Sequence, residues 1–117
     1  MPHFASNSSP AARRWAVRHL RPELLKELVA DGDPLVRMEV AYRLPEAELS
    51  YLAADVDPRV RFAVAERIAV SDLAPFLDDP EMVIRDVASD RLTAFSERHV
   101  TRLMRMALPA HSSIGQV

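Results

Sequence analysis

The chain has 117 residues, enough for one domain, and its 49% hydrophobic and 27% charged residues are typical of a soluble globular protein. It has no cysteine, which excludes disulfides, thiol nucleophiles and cysteine-ligated zinc or iron–sulfur centres. A formal net charge of −2 argues against a general attraction to nucleic acid or to an anionic membrane. Because no apolar run is long enough to span a membrane and the N-terminus lacks a signal-peptide pattern, we expect a cytoplasmic protein.

The sequence repeats itself with a period of 24 residues across four units, without any insertion. Only two glycines and 6% aromatic residues are present, which favours packed helices over β-sheets. Several residue types recur in register. They are prolines (Pro10, Pro34 and Pro58), arginines (Arg13, Arg37, Arg61 and Arg85, then Arg43, Arg67 and Arg91), leucines (Leu25, Leu49 and Leu73) and aspartates (Asp31, Asp55 and Asp79).

Each unit predicts two helical segments. The first begins at a capping side chain followed by proline, as in Ser9-Pro10, Asp33-Pro34 and Asp57-Pro58. In the second unit, Val36, Val40 and Leu44 then form one apolar stripe at helical spacing. The second segment, about 46–54 in that unit, is short enough to be a brief α-helix or a 3₁₀-helix.

The end of the chain departs from this pattern. Asp79-Pro80 comes two residues early relative to Arg85, which predicts an earlier start for the fourth helix. Ser96 is the predicted N-cap of a separate capping helix that ends at Leu108. We expect residues 1–8 and 109–117 to be flexible, so that residues 9–108 form the helical-repeat domain.

Neither segment of a unit can bury its apolar stripe alone, so the units must stack on one another. The predicted fold class is therefore all-α, a short right-handed α-solenoid of about four 24-residue repeats with a C-terminal capping helix. Val40 and Val64 occupy the same inward column of the two middle units, where we expect full burial.

The run Asp33-Pro34-Leu35-Val36-Arg37 with Val40-Ala41, and its counterpart Asp57-Pro58-Arg59-Val60-Arg61 with Val64-Ala65, resemble the leucine-rich repeat variant family. The resemblance covers roughly residues 9–100. It implies alternating α- and 3₁₀-helices stacked into a superhelix, similar in style to HEAT repeats, and a bacterial protein. It also implies a binding or scaffolding role and supplies no catalytic residues. Some members from nitrogen-fixing bacteria carry a cysteine-rich iron–sulfur segment, which this chain lacks.

Two explanations fit the arginine column Arg13, Arg37, Arg61 and Arg85. The side chains could form a ladder that grips phosphates or carboxylates along a groove, or they could link successive units. An aspartate stands six residues before three of them, and this spacing favours the structural explanation (Asp31, Asp55 and Asp79). The second column, Arg43, Arg67 and Arg91, lies near helix C-termini, where cations interact favourably with the helix dipole.

Charge is uneven along the chain. Residues 1–30 hold five basic and two acidic side chains, residues 31–95 seven and fourteen, and residues 96–117 three and one. Helix starts collect carboxylates, which can explain the acidic middle without any partner. The alternative is that Glu66 and Asp90 contact a basic protein segment, with Tyr42 and Tyr51 as aromatic anchors. Trp15 is a further candidate for an exposed contact.

No catalytic or metal-binding motif is present. The four histidines are isolated and none forms a pair at i, i+4 (His3, His19, His99 and His111). The predicted function is a non-catalytic helical-repeat module for protein–protein interaction or scaffolding, with no cofactor. One alternative is a nucleic-acid-binding module that uses the arginine columns and the basic ends. Another, suggested by the family resemblance alone, is an accessory protein in nitrogen fixation or metallocofactor biology.

Overall fold

The structure, a computed structural model, describes residues 9–107. In that range four α-helices alternate with 3₁₀-helices (η), and no strand is present. In chain order the elements are α1 (Pro10–His19), η1 (Pro22–Leu28), α2 (Pro34–Arg43), η2 (Glu46–Leu52), α3 (Pro58–Arg67), η3 (Val70–Asp72), η4 (Ala74–Asp78) and α4 (Met82–Ala107). The predicted all-α helical-repeat fold is confirmed, and the second segments are 3₁₀-helices. The right-handed course of the solenoid stays a prediction.

The first three α-helices begin as their sequences predict. Leu35 donates its N–H to the Asp33 carboxylate at 2.7 Å, and Arg59 donates to Asp57 at 2.8 Å. Ser9 accepts the N–H of Ala12 at 3.2 Å in the same way. A proline follows each cap as the first helical residue, where its missing N–H leaves no hydrogen bond unmade.

The core follows the 24-residue columns. Successive α-helices pack on one another, and each 3₁₀ segment packs mainly on the α-helix that follows it. Val40 and Val64 are fully buried, as predicted, and so are the leucines of the second segments (Leu25, Leu49 and Leu73). Each unit therefore completes the burial of the unit before it.

Helix α4 does not begin early. Its first residue, Met82, stands 24 residues after Pro58, so the prediction of an earlier start is wrong. Asp79 is not the cap of this helix, because its carboxylate accepts the N–H of Glu81 at 2.9 Å and lies in an ion pair with Arg61. Glu81 takes the cap position instead, and its carbonyl accepts N–H groups from Ile84 and Arg85.

The separate capping helix predicted from Ser96 is also wrong. Helix α4 runs without a break to Ala107, which places Ser96 in its interior. Glu97 stands in the column that holds a buried leucine in the earlier units, so no apolar side chain draws the chain back onto the stack. Every described residue from Phe95 onward is exposed. The predicted flexible ends, 1–8 and 109–117, and the predicted last helical residue, Leu108, lie outside the described residues.

None of the helices within residues 9–107 is long and apolar enough to cross a membrane.

Candidate binding surface

The first arginine column forms repeated ion pairs inside the stack. In each of three units the arginine grips the aspartate that follows it by eighteen residues. The Nε···Oδ2 distances are 2.7 Å for Arg13–Asp31, 2.8 Å for Arg37–Asp55 and 2.8 Å for Arg61–Asp79, and in each pair Nη2 binds the second oxygen. The six side chains are at most 14% exposed. This bidentate geometry is the strongest form of an arginine–carboxylate pair. We call these three pairs the clamps.

The six-residue spacing that suggested these pairs has a different meaning. Arg37 donates through Nη1 to the backbone carbonyl of Asp31 at 2.7 Å, and Arg61 does the same to Asp55 at 2.8 Å. The carboxylate of Asp31 belongs to Arg13 instead. An aspartate therefore joins two arginines, one through its side chain and one through its carbonyl, and so links consecutive units.

The clamp between Arg61 and Asp79 shifts the pKa values of both its members. Burial by itself would raise the pKa of Asp79, but the hydrogen bonds from Arg61 and from the N–H of Glu81 outweigh burial and lower that pKa below its ordinary value. The hydrogen bond to Asp79 in turn raises the pKa of Arg61. Asp79 is consequently a carboxylate throughout the neutral range.

The second arginine column caps the preceding α-helix. Arg67 donates through Nη1 to the carbonyls of Ala41 at 2.7 Å and Leu44 at 2.8 Å, at the end of α2. Arg43 binds the corresponding carbonyls of α1, and Arg91 those of α3 (Val17 and Leu20, Ala65 and Ile68). We expected a dipole interaction with the arginine's own helix; the structure shows that the neighbouring helix receives these hydrogen bonds. This role has no signature in the sequence beyond the 24-residue spacing.

The outward side of the α-helices carries most of the predicted binding residues. We call it the α face and define it by six residues (Trp15, Arg18, Glu39, Tyr42, Glu66 and Asp90). At its N-terminal end, Arg18 forms an ion pair with Glu39 at 3.0 Å, and Arg14 lies 3.7 Å from the same carboxylate. Trp15 is 58% exposed and its ring stacks on His19 at a centroid distance of 4.0 Å.

Tyr42, Glu66 and Asp90 form one row across α2, α3 and α4. The Tyr42 hydroxyl donates to Glu66 Oε1 at 3.2 Å, and burial, followed by the charge of Glu66, raises the pKa of Tyr42. Asp90 continues the row one unit further and is exposed. Tyr51 lies apart on η2, with 59% exposure, so the structure does not bring it to this row.

Internal contacts use many of the carboxylates in the acidic middle. Asp31, Asp55 and Asp79 belong to the clamps, while Asp33 and Asp57 cap helices. On α3 and α4 four exposed carboxylates form no ion pair among residues 9–107 (Glu66, Asp86, Asp90 and Glu97). The α face is therefore basic at α1 and acidic at α3 and α4.

A solved structure described as a leucine-rich repeat variant with a novel repetitive protein structural motif is similar to this chain. The two share 36% sequence identity, with a TM-score of 0.69 over 74% of this chain and 39% of the other. The chain has the leucine-rich repeat variant fold. The resemblance predicted from the Asp-Pro runs is thus confirmed, and the chain spans about two fifths of the length of that protein. No protein-family model matches the chain, and no curated protein does.

The leucine-rich repeat variant fold does not gather metal ligands in the part of the chain that is described. Within residues 9–107, no group of three or more histidine, aspartate or glutamate side chains is placed to hold a metal ion. His19 Nδ1 lies 2.8 Å from the carbonyl of Trp15, and the His99 ring stacks on Phe95 at 5.8 Å. His3 and His111 lie outside the described residues.

Proposed function

We propose that the chain is a non-catalytic helical-repeat module that binds a basic segment of a protein partner on the α face. The observation that carries this proposal is the row of Tyr42, Glu66 and Asp90. It places an aromatic side chain beside two exposed carboxylates on three successive helices. Solenoids bind partners along such extended surfaces, because each unit contributes an equivalent position.

The chemistry of the row suits a cationic peptide. Glu66 and Asp90 have no arginine partner among the described residues, so both remain available to a lysine or arginine of the partner. Tyr42 is 43% exposed, and its ring offers the aromatic surface that interface anchors commonly use. Trp15 adds a second aromatic side chain toward the basic end of the same face.

The nucleic-acid alternative is weakened by the arginine columns. Arg37 and Arg61 spend their guanidinium groups on clamps and backbone carbonyls, and the second column is occupied with helix capping. Outside the two columns, a basic stripe lies on the exposed part of α4 at spacing i, i+4, i+7 (Arg98, Arg102 and Arg105). The accessory role in metallocofactor biology rests on the family resemblance alone.

Charge reversal on the α face tests the proposal. The probes are labelled peptides rich in lysine and arginine, with matched peptides in which glutamine replaces the cations. Reversing Glu66→Lys and Asp90→Lys together is expected to slow association with the basic peptides, while dissociation changes little, because charge acts mainly on the encounter. Rising salt should slow association with the unaltered chain in the same way.

The matched control is Asp72→Lys, an equal charge change per site on η3, away from the α face. Association rates that fall equally in the control would contradict a localised surface, as would rates that the double reversal leaves untouched. A short oligonucleotide serves as the second probe. If it binds with a steep salt dependence that disappears when Arg98, Arg102 and Arg105 become glutamine, the nucleic-acid alternative replaces this proposal.

A further inference from the structure

Arg85 is the one member of the first arginine column that has no carboxylate partner among residues 9–107. The other three arginines of the column bind Asp31, Asp55 and Asp79 through the donors Nε and Nη2. The same two donors of Arg85 form no hydrogen bond within the described chain.

The guanidinium group of Arg85 is nevertheless positioned by the same backbone contacts as that of Arg61. Arg85 Nη1 donates to the carbonyls of Asp79 at 2.7 Å and Pro80 at 3.1 Å. In the preceding unit, Arg61 Nη1 donates to the carbonyls of Asp55 at 2.8 Å and Val56 at 3.2 Å. The backbone carbonyls that position the guanidinium group, whose Nε and Nη2 donors we call the fork, are thus equivalent in both units. The two units differ in that Arg61 also binds a carboxylate, whereas Arg85 binds none among residues 9–107.

Within residues 9–107, Arg85 lacks a carboxylate partner because the fourth unit ends differently. The position eighteen residues after Arg85 is Leu103, which lies on the extended part of α4 and is 50% exposed. The carboxylate of the preceding aspartate, Asp79, is already engaged by Arg61 and by the N–H of Glu81. The fork of Arg85 is therefore pre-positioned at the C-terminal end of the stack.

We propose that Arg85 is a docking site for an aspartate side chain of a partner polypeptide that packs against this end of the stack. The clamps define the chemistry, since each shows an aspartate bound side-on through two N–H···O hydrogen bonds. Glu81 stands one helical turn before Arg85, and its negative charge disfavours a multiply charged phosphate more than a single carboxylate.

The surface around Arg85 combines polar and apolar side chains. Ser89 is exposed at the position where Val17, Ala41 and Ala65 are fully buried. Met82 and Val83, on the first turn of α4, are 65% and 55% exposed, so the guanidinium group of Arg85 is the directional group on a mixed surface. This site is separate from the α face, and either proposal can fail without the other.

The test uses the full chain and a capped peptide that copies residues 53–58, which contain the sibling aspartate Asp55. Both peptides carry Asp57→Asn, so that Asp55 supplies the single carboxylate, and the matched peptide carries D55N in addition. The Nε–H resonance of Arg85 is followed by NMR during titration, with the resonance of Arg98 as an internal control. We expect a saturable shift at Arg85 and about tenfold tighter binding of the aspartate peptide, the factor that one charge-assisted hydrogen bond supplies.

Arg85→Lys keeps the charge but removes the fork, so it should abolish the difference between the two peptides. The peptide comparison on the unaltered chain stands independently if this variant folds poorly. Equal binding of the two peptides, or no shift at Arg85, would overturn the proposal. Tighter binding of inorganic phosphate than of the aspartate peptide would also overturn it.

Discussion

The fourth α-helix begins with the same repeat positions as the first three but is much longer. Helices α1, α2 and α3 have ten residues each, whereas α4 has 26. The start of α4 keeps the pattern, because Ile84 and Ala88 are fully buried and Arg91 caps the preceding helix. The sequence of the first turns therefore does not determine where an α-helix of this molecule stops.

A proline closely follows α1 and α2 (Pro22 and Pro45) and discourages their continuation, but none closely follows α3, whose end is supported by the neighbouring unit. The carbonyls of Ala65 and Ile68 at the end of α3 accept hydrogen bonds from Arg91 at 2.9 and 2.7 Å, so α3 can end there without leaving them unpaired. No described unit follows α4 to supply such an arginine, and continuation of the helix satisfies its carbonyls instead. A unit of this solenoid thus acquires its boundaries from the next unit, which makes the stack cooperative.

Breaking a clamp should have the largest effect on stability. Arg61→Ala leaves the buried carboxylate of Asp79 without its partner, so we expect a loss of about 2–4 kcal/mol in the free energy of unfolding. Asp79→Ala should cost a similar amount, and the double variant should recover part of the loss. Urea denaturation of the three variants measures these differences.

The exposed pair Arg59–Asp57 provides the control for the clamp. Its arginine is 55% exposed, so Arg59→Ala should cost at most about 1 kcal/mol. Equal losses for Arg59→Ala and Arg61→Ala would show that the clamps contribute no more than surface ion pairs.

The next largest effect compares a buried valine on α3 with an exposed valine on the extended part of α4. Val64 is fully buried on α3, so Val64→Ala should cost about 1–3 kcal/mol through lost burial and a residual cavity. Val100 is 49% exposed on the extended part of α4, and Val100→Ala should change stability by less than about 0.5 kcal/mol. Val100 stands in the column of the buried Leu52 and Phe76, so two equal shifts of the urea midpoint would contradict the conclusion that the stack no longer covers this column on α4.

The fold could be predicted because the residue types themselves indicate which positions are buried and where helices are capped. Asp33-Pro34 and Asp57-Pro58 specify helix starts locally, and the column of Val40 and Val64 needs only the 24-residue period. The sequence also identified the arginines and aspartates of the clamps. It did not identify which members pair, because six-residue and eighteen-residue separations both recur in a 24-residue repeat.

The end of the chain was predicted poorly for a different reason. Ser96 resembles an N-cap, but a serine caps a helix only where the residues before it are not helical. The residues before Ser96 already belong to α4. Two broken columns carried the better signal, since Glu97 replaces a buried leucine and Leu103 replaces a clamp aspartate. The role of the second arginine column could not be found this way, because backbone carbonyls accept hydrogen bonds whatever their side chains are.

The smallest expected effect concerns pH and the cap of α3. The hydrogen bond from the Arg59 side chain, helped by the Arg59 N–H, lowers the pKa of Asp57 to about 2, against an ordinary value of 3.8. Because the pKa is lower in the folded state, Asp57 contributes its full stabilisation above about pH 4 and loses it as the pH falls toward 2. Asp57→Asn keeps a capping oxygen but cannot titrate, so urea denaturation across this range should give a flatter pH dependence than in the unaltered chain. Asp79, whose pKa is also lowered, accounts for part of the slope that remains. An identical pH profile for Asp57→Asn and the unaltered chain would show that this cap does not couple protonation to folding.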